Sequence, residues 1–415
     1  MRIKEQIVAT LRKNEVVHEE FKIGVSFGHI LVNRADMKAV PFDGEQGIES
    51  LLEYLTRGEW EGLYEEDFLI GAQKGDVTVL LGAGGQIEFH HAKTASLKAI
   101  DKAYLEFLQE LGSELEARNQ LLLSVGYQPA SSVDEIEVVP MAKAQLMAEA
   151  LKDDKAALQT LKCTAKTVVT LDYAHSDDLE KKYRVAHILA PIFAAVFDNA
   201  PVVDGADYEG FAAGINLHDA MNTALSKVEN IMSGHSFKYA QYANIVAAAP
   251  AIAVEEGETI VATDKTNEEV YDDVNVTDDQ IAGILDMMMT EVKLTANGLE
   301  LHSVDALPYP LNMAYVAMVK GLMYNIDHLN ALHEFATGLS VEMQEKLRPG
   351  IIAEGMEGKV NEGTIRDVAR DLYFMSTPPL PEDEQHYTQP MDVIIFKDVC
   401  PKNITKRQMA AMQGK

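Results

Sequence analysis

The first candidate for a functional site in this chain is one glycine cluster, Gly82-Ala83-Gly84-Gly85, which could bind phosphate. A phosphate-binding loop must open a helix, so that backbone N–H groups and the helix dipole face the anion. The residues that follow this cluster, QIEF, favour a strand instead. The cluster is therefore predicted to be a tight turn between two strands, DVTVLL (76–81) and QIEFHH (86–91).

The residue types and their spacing give little support for a metal site. His90 and His91 are adjacent, so on a strand they would point to opposite faces and could not bind one metal together. No HExxH pair is present, and the only cysteines, Cys163 and Cys400, cannot form a disulfide framework or a Cys-rich zinc module. The methionine run 287–289 is expected in a helix core. Composition and spacing alone thus indicate an α+β protein of unknown role.

Hydrophobic periodicity predicts the elements that must position these residues. Further strands are predicted at 21–27, 119–129 and 163–173, and helices at about 2–13, 44–58, 93–118, 176–198 and 312–347. The βαβ alternation is irregular, so an α+β fold is expected in place of a doubly wound sheet. The acidic stretch 255–279 is expected to be a solvated loop, since it lacks the spacing of an EF-hand calcium loop.

The charge balance excludes several function classes. Of 415 residues, 36 are Lys or Arg and 65 are Asp or Glu, which gives a net charge of −29. A chain this acidic is repelled by nucleic acids and by anionic membranes. The N-terminal residues lack the apolar core of a signal peptide, and the longest apolar runs are too short to span a bilayer. We therefore expect a cytoplasmic protein with no nucleic-acid or membrane partner.

Six collinear segments resemble the plant and proteobacterial type of the glutamate–cysteine ligase family. The segment LLGAGGQIEFHHA (80–92) resembles the family's E-P-G-G-Q-F-E-L-S, with four matching residues: Gly84, Gly85, Gln86 and Glu88. The family's first glutamate is Gly82 here. FKIGVSFGH (21–29) resembles R-I-G-x-E-x-E, but Ser26 and Gly28 replace both glutamates. The likeness extends from about residue 20 to residue 400.

The later segments place further residues on family positions. SVGYQP (124–129) is similar to G-I-G-F-Q-P, and TVVTLDY (167–173) to V-Q-V-N-L-D-F. In EVKLTANGLELHSVDALP (291–308), Glu300 and Asp305 fall on the family's acids, whereas His302 replaces its arginine. PMAKAQLM (140–147) resembles M-P-K-G-R-Y-E-I-M, with Lys143 and Ala144 in place of the family's Arg-Tyr.

The resemblance implies an ATP-dependent carboxylate–amine ligase. Such an enzyme phosphorylates the side-chain carboxylate of glutamate, and an amine then attacks the acyl phosphate. Transfer of the phosphoryl group depends on Mg²⁺ and on cationic side chains. Of five family glutamates placed by the resemblance, only Glu88 and Glu300 remain, and a glycine or serine cannot replace a carboxylate ligand.

Two interpretations follow from these losses. The first is a degenerate ligase, a pseudoenzyme that binds a small molecule or serves as a partner subunit. The second is an active ATP-dependent ligase, for glutamate and cysteine or for altered amino-acid substrates. Its metal ligands would then come from elsewhere, and the candidates are His29, His90, His91 and the acids of 264–279. ATP and Mg²⁺ are the cofactors of the active form, and the degenerate form needs none. The small-molecule partner of the protein would be an amino acid or a nucleotide. The sequence leaves open whether the protein forms a homo- or hetero-oligomer.

The resemblance implies these roles and this fold. The predicted catalytic and metal-binding residues are Glu88 and Glu300, the substrate-binding residues are Gln86, Asp305 and Lys143, and the cofactor-binding residues are Gly84, Gly85 and His302. The predicted fold is a curved, mainly antiparallel sheet that forms a funnel, with helices on its outer face. The acids and Gln86 should lie together inside this funnel. Residues 1–375 are predicted to form the ligase-like domain, and 376–415 a linker and helical tail packed on it. The three prolines of 376–384 indicate the linker, and a helix is expected over 386–399.

Overall fold

The computed structural model describes residues 2–227, 237–256 and 259–413. The strands, in chain order, are β1 (Ile23–Asn33), β2 (Glu61–Glu65), β3 (Phe68–Lys74), β4 (Val77–Leu81), β5 (Ile87–Thr94), β6 (Gln120–Leu123), β7 (Thr167–Leu171), β8 (Val202–Val203), β9 (Ala206–Asp207), β10 (Ala253–Glu256), β11 (Thr259–Ala262), β12 (Val292–Thr295), β13 (Gly298–Leu301), β14 (Lys359–Val360) and β15 (Gly363–Thr364).

One nine-stranded sheet organises the molecule. Its order is β12-β13-β7-β1-β5-β4-β3-β2, and β6 pairs with the far end of β1. All of these pairings are antiparallel. The two outermost strands of this order, β12 and β2, do not pair with each other, so the sheet is open. The remaining strands form three two-stranded hairpins.

Sixteen helices and four 3₁₀ helices lie within the described residues. The helices are α1 (Ile3–Lys13), α2 (Ile48–Thr56), α3 (Leu97–Ala117), α4 (Ala142–Ala150), α5 (Lys155–Cys163), α6 (Ser176–Val196), α7 (Ala213–Ala220), α8 (Tyr239–Ala248), α9 (Asn267–Tyr271), α10 (Asp278–Asp286), α11 (Leu311–Met323), α12 (Ile326–Gly338), α13 (Val341–Glu354), α14 (Ile365–Ser376), α15 (Asp392–Ile395) and α16 (Pro401–Met412). The 3₁₀ helices span His18–Glu20, Ala224–Ser226, Gly355–Glu357 and Gln385–Met391. None of the described helices is long and apolar enough to cross a bilayer.

Helix α3 covers one face of the sheet. Ser96 begins this helix because its side chain accepts a hydrogen bond from the backbone N–H of Ala99. The helix then buries one stripe of its surface: Leu97, Ile100, Tyr104, Phe107 and Leu111. Tyr104 packs edge-on against Phe27 of β1 and Phe89 of β5. These contacts leave the opposite face of β1 and β5 free to line a site.

The structure confirms the predicted α+β architecture and its antiparallel sheet. It also confirms the turn between β4 and β5, where Leu81 pairs with Ile87. The helix expected over 312–347 is instead three helices, because Asn325 and Ser340 cap the first turns of α12 and α13. The acidic stretch is not a plain loop, since it carries the β10–β11 hairpin, α9 and the start of α10.

The C-terminal residues pack on the rest of the chain. Leu380 and Glu384 are buried, although 376–384 was expected to be an extended linker. A 3₁₀ helix and the four-residue α15 replace the single helix expected over 386–399. The last helix, α16, is anchored by an ion pair between Lys402 Nζ and Asp198 Oδ2 at 3.0 Å. These contacts support the predicted packing of 376–415 on the same domain, a division that stays a prediction.

Candidate functional site

A cavity of about 820 Å³ lies against the face of the sheet opposite α3. Strands β1, β4, β5, β7 and β13 contribute to its wall, together with α5, α7 and the segment 288–291 that leads into β12. Its volume falls in the range of cavities that bind cofactors and other small molecules. This cavity is the candidate functional site.

Strand alternation decides which residues of β1 reach the cavity. Gly24 and Ser26 line it, whereas Phe27 and His29 contact Tyr104 of α3 on the other face. The cavity side of the strand therefore carries almost no side-chain bulk. Glu88 and His90 reach the cavity from β5 by the same alternation, as do Glu300 of β13 and His302 directly after that strand.

Glu88 and His90 form the first of two carboxylate–histidine pairs. His90 Nε2 lies 3.2 Å from Glu88 Oε2, and the Glu88 side chain keeps 37% of its surface exposed. Burial is the largest single effect on Glu88 and opposes its ionisation, whereas the hydrogen bond with His90 favours the ionised form. The charges of His302 and Lys293 act in the same direction, so the pKa of Glu88 lies below its ordinary value. Glu88 is therefore anionic at neutral pH.

Glu300 and His302 form the second pair, which is more enclosed. His302 Nε2 lies 2.8 Å from Glu300 Oε2, and the hydroxyl of Thr295 donates to Glu300 Oε1 at 3.0 Å. Burial opposes ionisation, but these bonds and the charge of Lys293 lower the pKa of Glu300 to about 2. Both carboxylate oxygens of Glu300 are thus engaged by the protein.

This lowered pKa predicts an acid-dependent loss of stability. Because the folded state holds the Glu300 proton less readily than the unfolded chain, Glu300 stabilises the fold above its ordinary pKa. That contribution is lost as the pH falls from about 4.5 towards 2. We expect the free energy of unfolding to fall by about 1–2 kcal/mol more in the parent than in Glu300→Gln between pH 5 and pH 3. Denaturant titrations at each pH measure this difference, and Glu53→Gln, which changes an exposed acid, is the control. The same pH dependence of the free energy of unfolding in the parent and in Glu300→Gln would contradict the prediction.

The resemblance places family glutamates at Gly28 and Gly82, and other parts of the chain lie against both positions. A Cβ at Gly28 would lie 3.0 Å from the backbone N and O of Lys166, which belongs to the segment leading into β7. A Cβ at Gly82 would lie 2.5 Å from Oε1 of Gln86. A glutamate at either position would require its neighbours to move.

Gln86 lines the cavity, but its side-chain amide forms hydrogen bonds with the backbone of the protein itself. Its Nε2 donates to the carbonyl oxygens of Leu161 and Thr164, and its Oε1 accepts from the backbone N–H of Gly84. Gln86 thus ties the turn between β4 and β5 to the end of α5.

Gly84 and Gly85 do not line this cavity, and each has a local reason to be glycine. A Cβ at Gly84 would lie 2.1 Å from the carbonyl oxygen of Lys162. Gly85 has a φ of +80°, in the left-handed region that favours glycine. Their predicted role in binding a cofactor stays a prediction, and turn geometry already accounts for both residues.

Asp305 and Lys143 also lie outside the cavity wall. Asp305 is buried, where its Oδ2 accepts from the backbone N–H of Asn199 and its Oδ1 lies 3.3 Å from Lys166 Nζ. Lys143 Nζ donates to the carbonyl of Gly283 at 3.1 Å. Of the expected cluster, Gln86, Glu88 and Glu300 line the cavity. Asp305 does not, and it contacts the cavity wall only through its ion pair with Lys166.

Other ionisable residues line the cavity without having been singled out. Lys93, Lys166, His218 and Glu291 all contribute to its wall. Arg348 of α13 lies 2.6 Å from Glu291 Oε2. Alternation from Glu88 and His90 would place Lys93 on the other face of β5, so the local sequence did not reveal it. The other three residues reach the wall through contacts between distant segments. His29, a spare metal candidate, contacts Tyr104 on the opposite face, where burial lowers its pKa to about 4.

Gly24-Val25-Ser26-Phe27-Gly28 matches the GxSxG pattern of serine hydrolases. A nucleophile of that type sits at a sharp strand-to-helix turn. Ser26 instead lies within β1, directly opposite His90 of β5, and no hydrogen bond joins the two. The pattern is therefore a strand sequence and not a nucleophile elbow.

The fit of Mg²⁺ to this cavity depends on its donor set. Among the described residues, no group of three or more His, Cys, Asp or Glu side chains is placed to hold a metal ion. Mg²⁺ in nucleotide sites uses one or two carboxylates together with phosphate oxygens and water. Here the two family glutamates are hydrogen-bonded to histidines, and neutral or charged imidazole is a poor ligand for Mg²⁺. The donor set does not fit a multi-carboxylate magnesium centre.

Comparison with known proteins first defines the fold. The structure is similar to the crystal structure of a glutamate–cysteine ligase from Francisella tularensis in complex with AMP, with a TM-score of 0.51 and 10% identity over 95% of this chain and 89% of the bacterial one. The open antiparallel sheet with its helices is thus similar to the fold of that bacterial protein.

Sequence comparison then shows the family. The chain is 22% identical over 413 residues to glutamate–cysteine ligase B, chloroplastic, of Oryza sativa subsp. japonica, covering 96% of this chain and 82% of the rice protein. It is 23% identical over 419 residues to the chloroplastic glutamate–cysteine ligase of Arabidopsis thaliana, covering 96% and 78%. The model of glutamate–cysteine ligase family 2 matches residues 23–346. The chain belongs to this family, as the six segments predict.

Proposed function

We propose that this member of the family binds a small molecule in the cavity without carrying out ATP-dependent γ-glutamylcysteine synthesis. The observation that carries the proposal is the cavity wall itself. Ser26, Gly28 and Gly82 stand where the family has glutamates, and neighbouring groups lie against both glycine positions. Glu88 and Glu300, the two family glutamates that the resemblance retains, are hydrogen-bonded to histidines.

Electrostatics explains why this wall is unsuited to phosphoryl transfer. The transferred group carries several negative charges, which the enzyme must stabilise with metal ions or cationic side chains. Among the described residues, no arginine lines the cavity, and His302 replaces the arginine that the resemblance places there. Losing one oriented donor costs about 10²–10³ in rate. Losing several removes the basis for the family reaction.

An active ATP-dependent ligase is the second candidate. Both Glu88 and Glu300 are ionised at neutral pH, and the family is ATP-dependent. One or two carboxylates together with nucleotide phosphates and water can hold Mg²⁺. This activity would act on glutamate and cysteine or on other amino acids.

Calorimetric titration of Mg-ATP into the protein, followed by an assay of ADP release across the amino acids, separates the two. We expect no glutamate-dependent release of ADP at any amine concentration. Saturable Mg-ATP binding with glutamate-dependent ADP release, abolished in Glu88→Gln, would establish the ligase instead. A stable complex with an active paralogous subunit would favour the partner role.

The compartment and the assembly state belong to the same proposal. The acidic chain is expected in the cytoplasm, although the plant relatives are chloroplastic proteins. Sedimentation of the purified protein measures whether it forms an oligomer.

A further inference from the structure

We propose that the ligand of the cavity is a small organic ammonium ion, a primary amine with an apolar body, and that Glu88 binds its charged end. This inference rests on the binding function proposed above. It adds the chemical class of the ligand, which the family reaction does not dictate for a cavity that has lost its metal-binding acids.

The first argument is the charge on the cavity wall. Four carboxylates line it within the described residues, namely Asp76, Glu88, Glu291 and Glu300. The two ammonium groups on the wall already have partners. Lys93 Nζ lies 2.5 Å from Asp172 Oδ1, and Lys166 Nζ lies 3.3 Å from Asp305 Oδ1. A polyanionic ligand would thus meet more carboxylates than available cations, whereas a cation would be attracted.

The second argument is that Glu88 is a partly enclosed carboxylate with an available oxygen, whereas Asp76 is exposed to solvent. Glu300 uses both of its oxygens, and Glu291 is paired with Arg348. Glu88 Oε2 is bonded to His90, but its Oε1 has no hydrogen-bond partner among the described residues. An ionised carboxylate with one free oxygen in a partly enclosed cavity is a strong acceptor for an ammonium donor.

The third argument is the apolar part of the wall of the same cavity. The wall includes Leu161, Val168, Met288 and Met289. Methionine side chains adapt to ligands of irregular shape, and an apolar wall favours a hydrocarbon body. An ion without a hydrocarbon part would leave this surface in contact with water. The cavity therefore suits an ammonium group attached to an alkyl or aryl body.

Three matched probes test the class of ligand: 2-phenylethylamine, 2-phenylethanol and 3-phenylpropanoate. In calorimetric titrations we expect the amine to bind about tenfold or more tightly than the alcohol, because only the amine forms a charge-assisted hydrogen bond. The carboxylate should bind least. Glu88→Gln should reduce the amine's affinity about tenfold, towards that of the alcohol.

Two further variants isolate the role of the Glu88 charge. Glu88→Asp keeps the charge and should retain part of the preference for the amine. Glu53→Gln removes an exposed acid outside the cavity and should change nothing. Thermal unfolding of each variant shows that it is folded before it is titrated.

The outcomes distinguish this inference from the function on which it rests. Equal affinity for the amine and the alcohol, or full amine binding by Glu88→Gln, would overturn the inference. Binding of 3-phenylpropanoate or Mg-ATP without binding of the amine would overturn the ligand class and leave a binding function standing. Absence of binding by all four compounds would overturn both.

Discussion

Gly84→Ala is expected to lower the free energy of unfolding by about 3 kcal/mol. The added Cβ would lie 2.1 Å from the carbonyl oxygen of Lys162 and 2.8 Å from its carbonyl carbon. These are backbone atoms, which cannot rotate away as the end of a side chain could. The turn between β4 and β5 would have to separate from the end of α5, and the hydrogen bonds of Gln86 to Leu161 and Thr164 would weaken with it.

Gly112→Ala is the matched control for this substitution. Gly112 lies inside α3, and no atom approaches the position of its Cβ within 4 Å. Alanine there should raise the free energy of unfolding by about 0.5–1 kcal/mol, since it favours the helix. Urea denaturation of both variants measures the change in the free energy of unfolding, which should be negative for Gly84→Ala and positive for Gly112→Ala. If Gly84→Ala were as stable as the parent, the packing explanation would fail, and a role in ligand binding would become the better reason for glycine.

Glu384→Ala is the second substitution with a large expected effect, a loss of about 3 kcal/mol in the free energy of unfolding. One oxygen of Glu384 accepts a hydrogen bond from the backbone N–H of Leu97, the first residue of α3. The other lies 2.6 Å from Lys320 Nζ of α11, and both side chains of this ion pair are largely buried. Removing the carboxylate would leave a buried ammonium group and the start of α3 without their partner.

The neighbouring residue provides the control for Glu384. Asp383 pairs with Lys98 at 2.6 Å, but both side chains are exposed. Asp383→Ala should therefore leave the denaturation midpoint unchanged. Equal effects of the two substitutions would show that residues 376–384 do not hold the C-terminal residues against α3 and α11.

The local parts of the fold could be predicted from the sequence, because local chemistry determines them. Gly82-Ala83-Gly84-Gly85 followed by QIEF specified the turn and β5. The resemblance also placed Glu88 and Glu300 on positions that face one cavity. They meet there because β13 pairs with β7 and β7 with β1, where Glu300 lies opposite Thr170 and Thr170 opposite Gly24. Periodicity alone contains no information on such pairings.

The parts that could not be predicted depend on tertiary contacts. The apolar periodicity over 312–347 did not reveal that Asn325 and Ser340 each start a new helix. The prolines of 376–384 suggested a linker, whereas the burial of Glu384 depends on Lys320, far away in the chain. Asp305 was assigned to the cavity by its family position, but its partner Lys166 takes the place on the wall.

A crystal structure of the protein soaked with Mg²⁺ and a non-hydrolysable ATP analogue tests the central claim most directly. The claim is that a cavity with Ser26 and Gly82 on its wall, and Gly28 nearby in β1, where the resemblance places glutamates, cannot hold the magnesium ions of phosphoryl transfer. The account predicts no magnesium ion coordinated by Glu88 and Glu300, whose bonds to His90 and His302 should stay intact. Two well-coordinated magnesium ions that bridge these carboxylates to the nucleotide phosphates would contradict it.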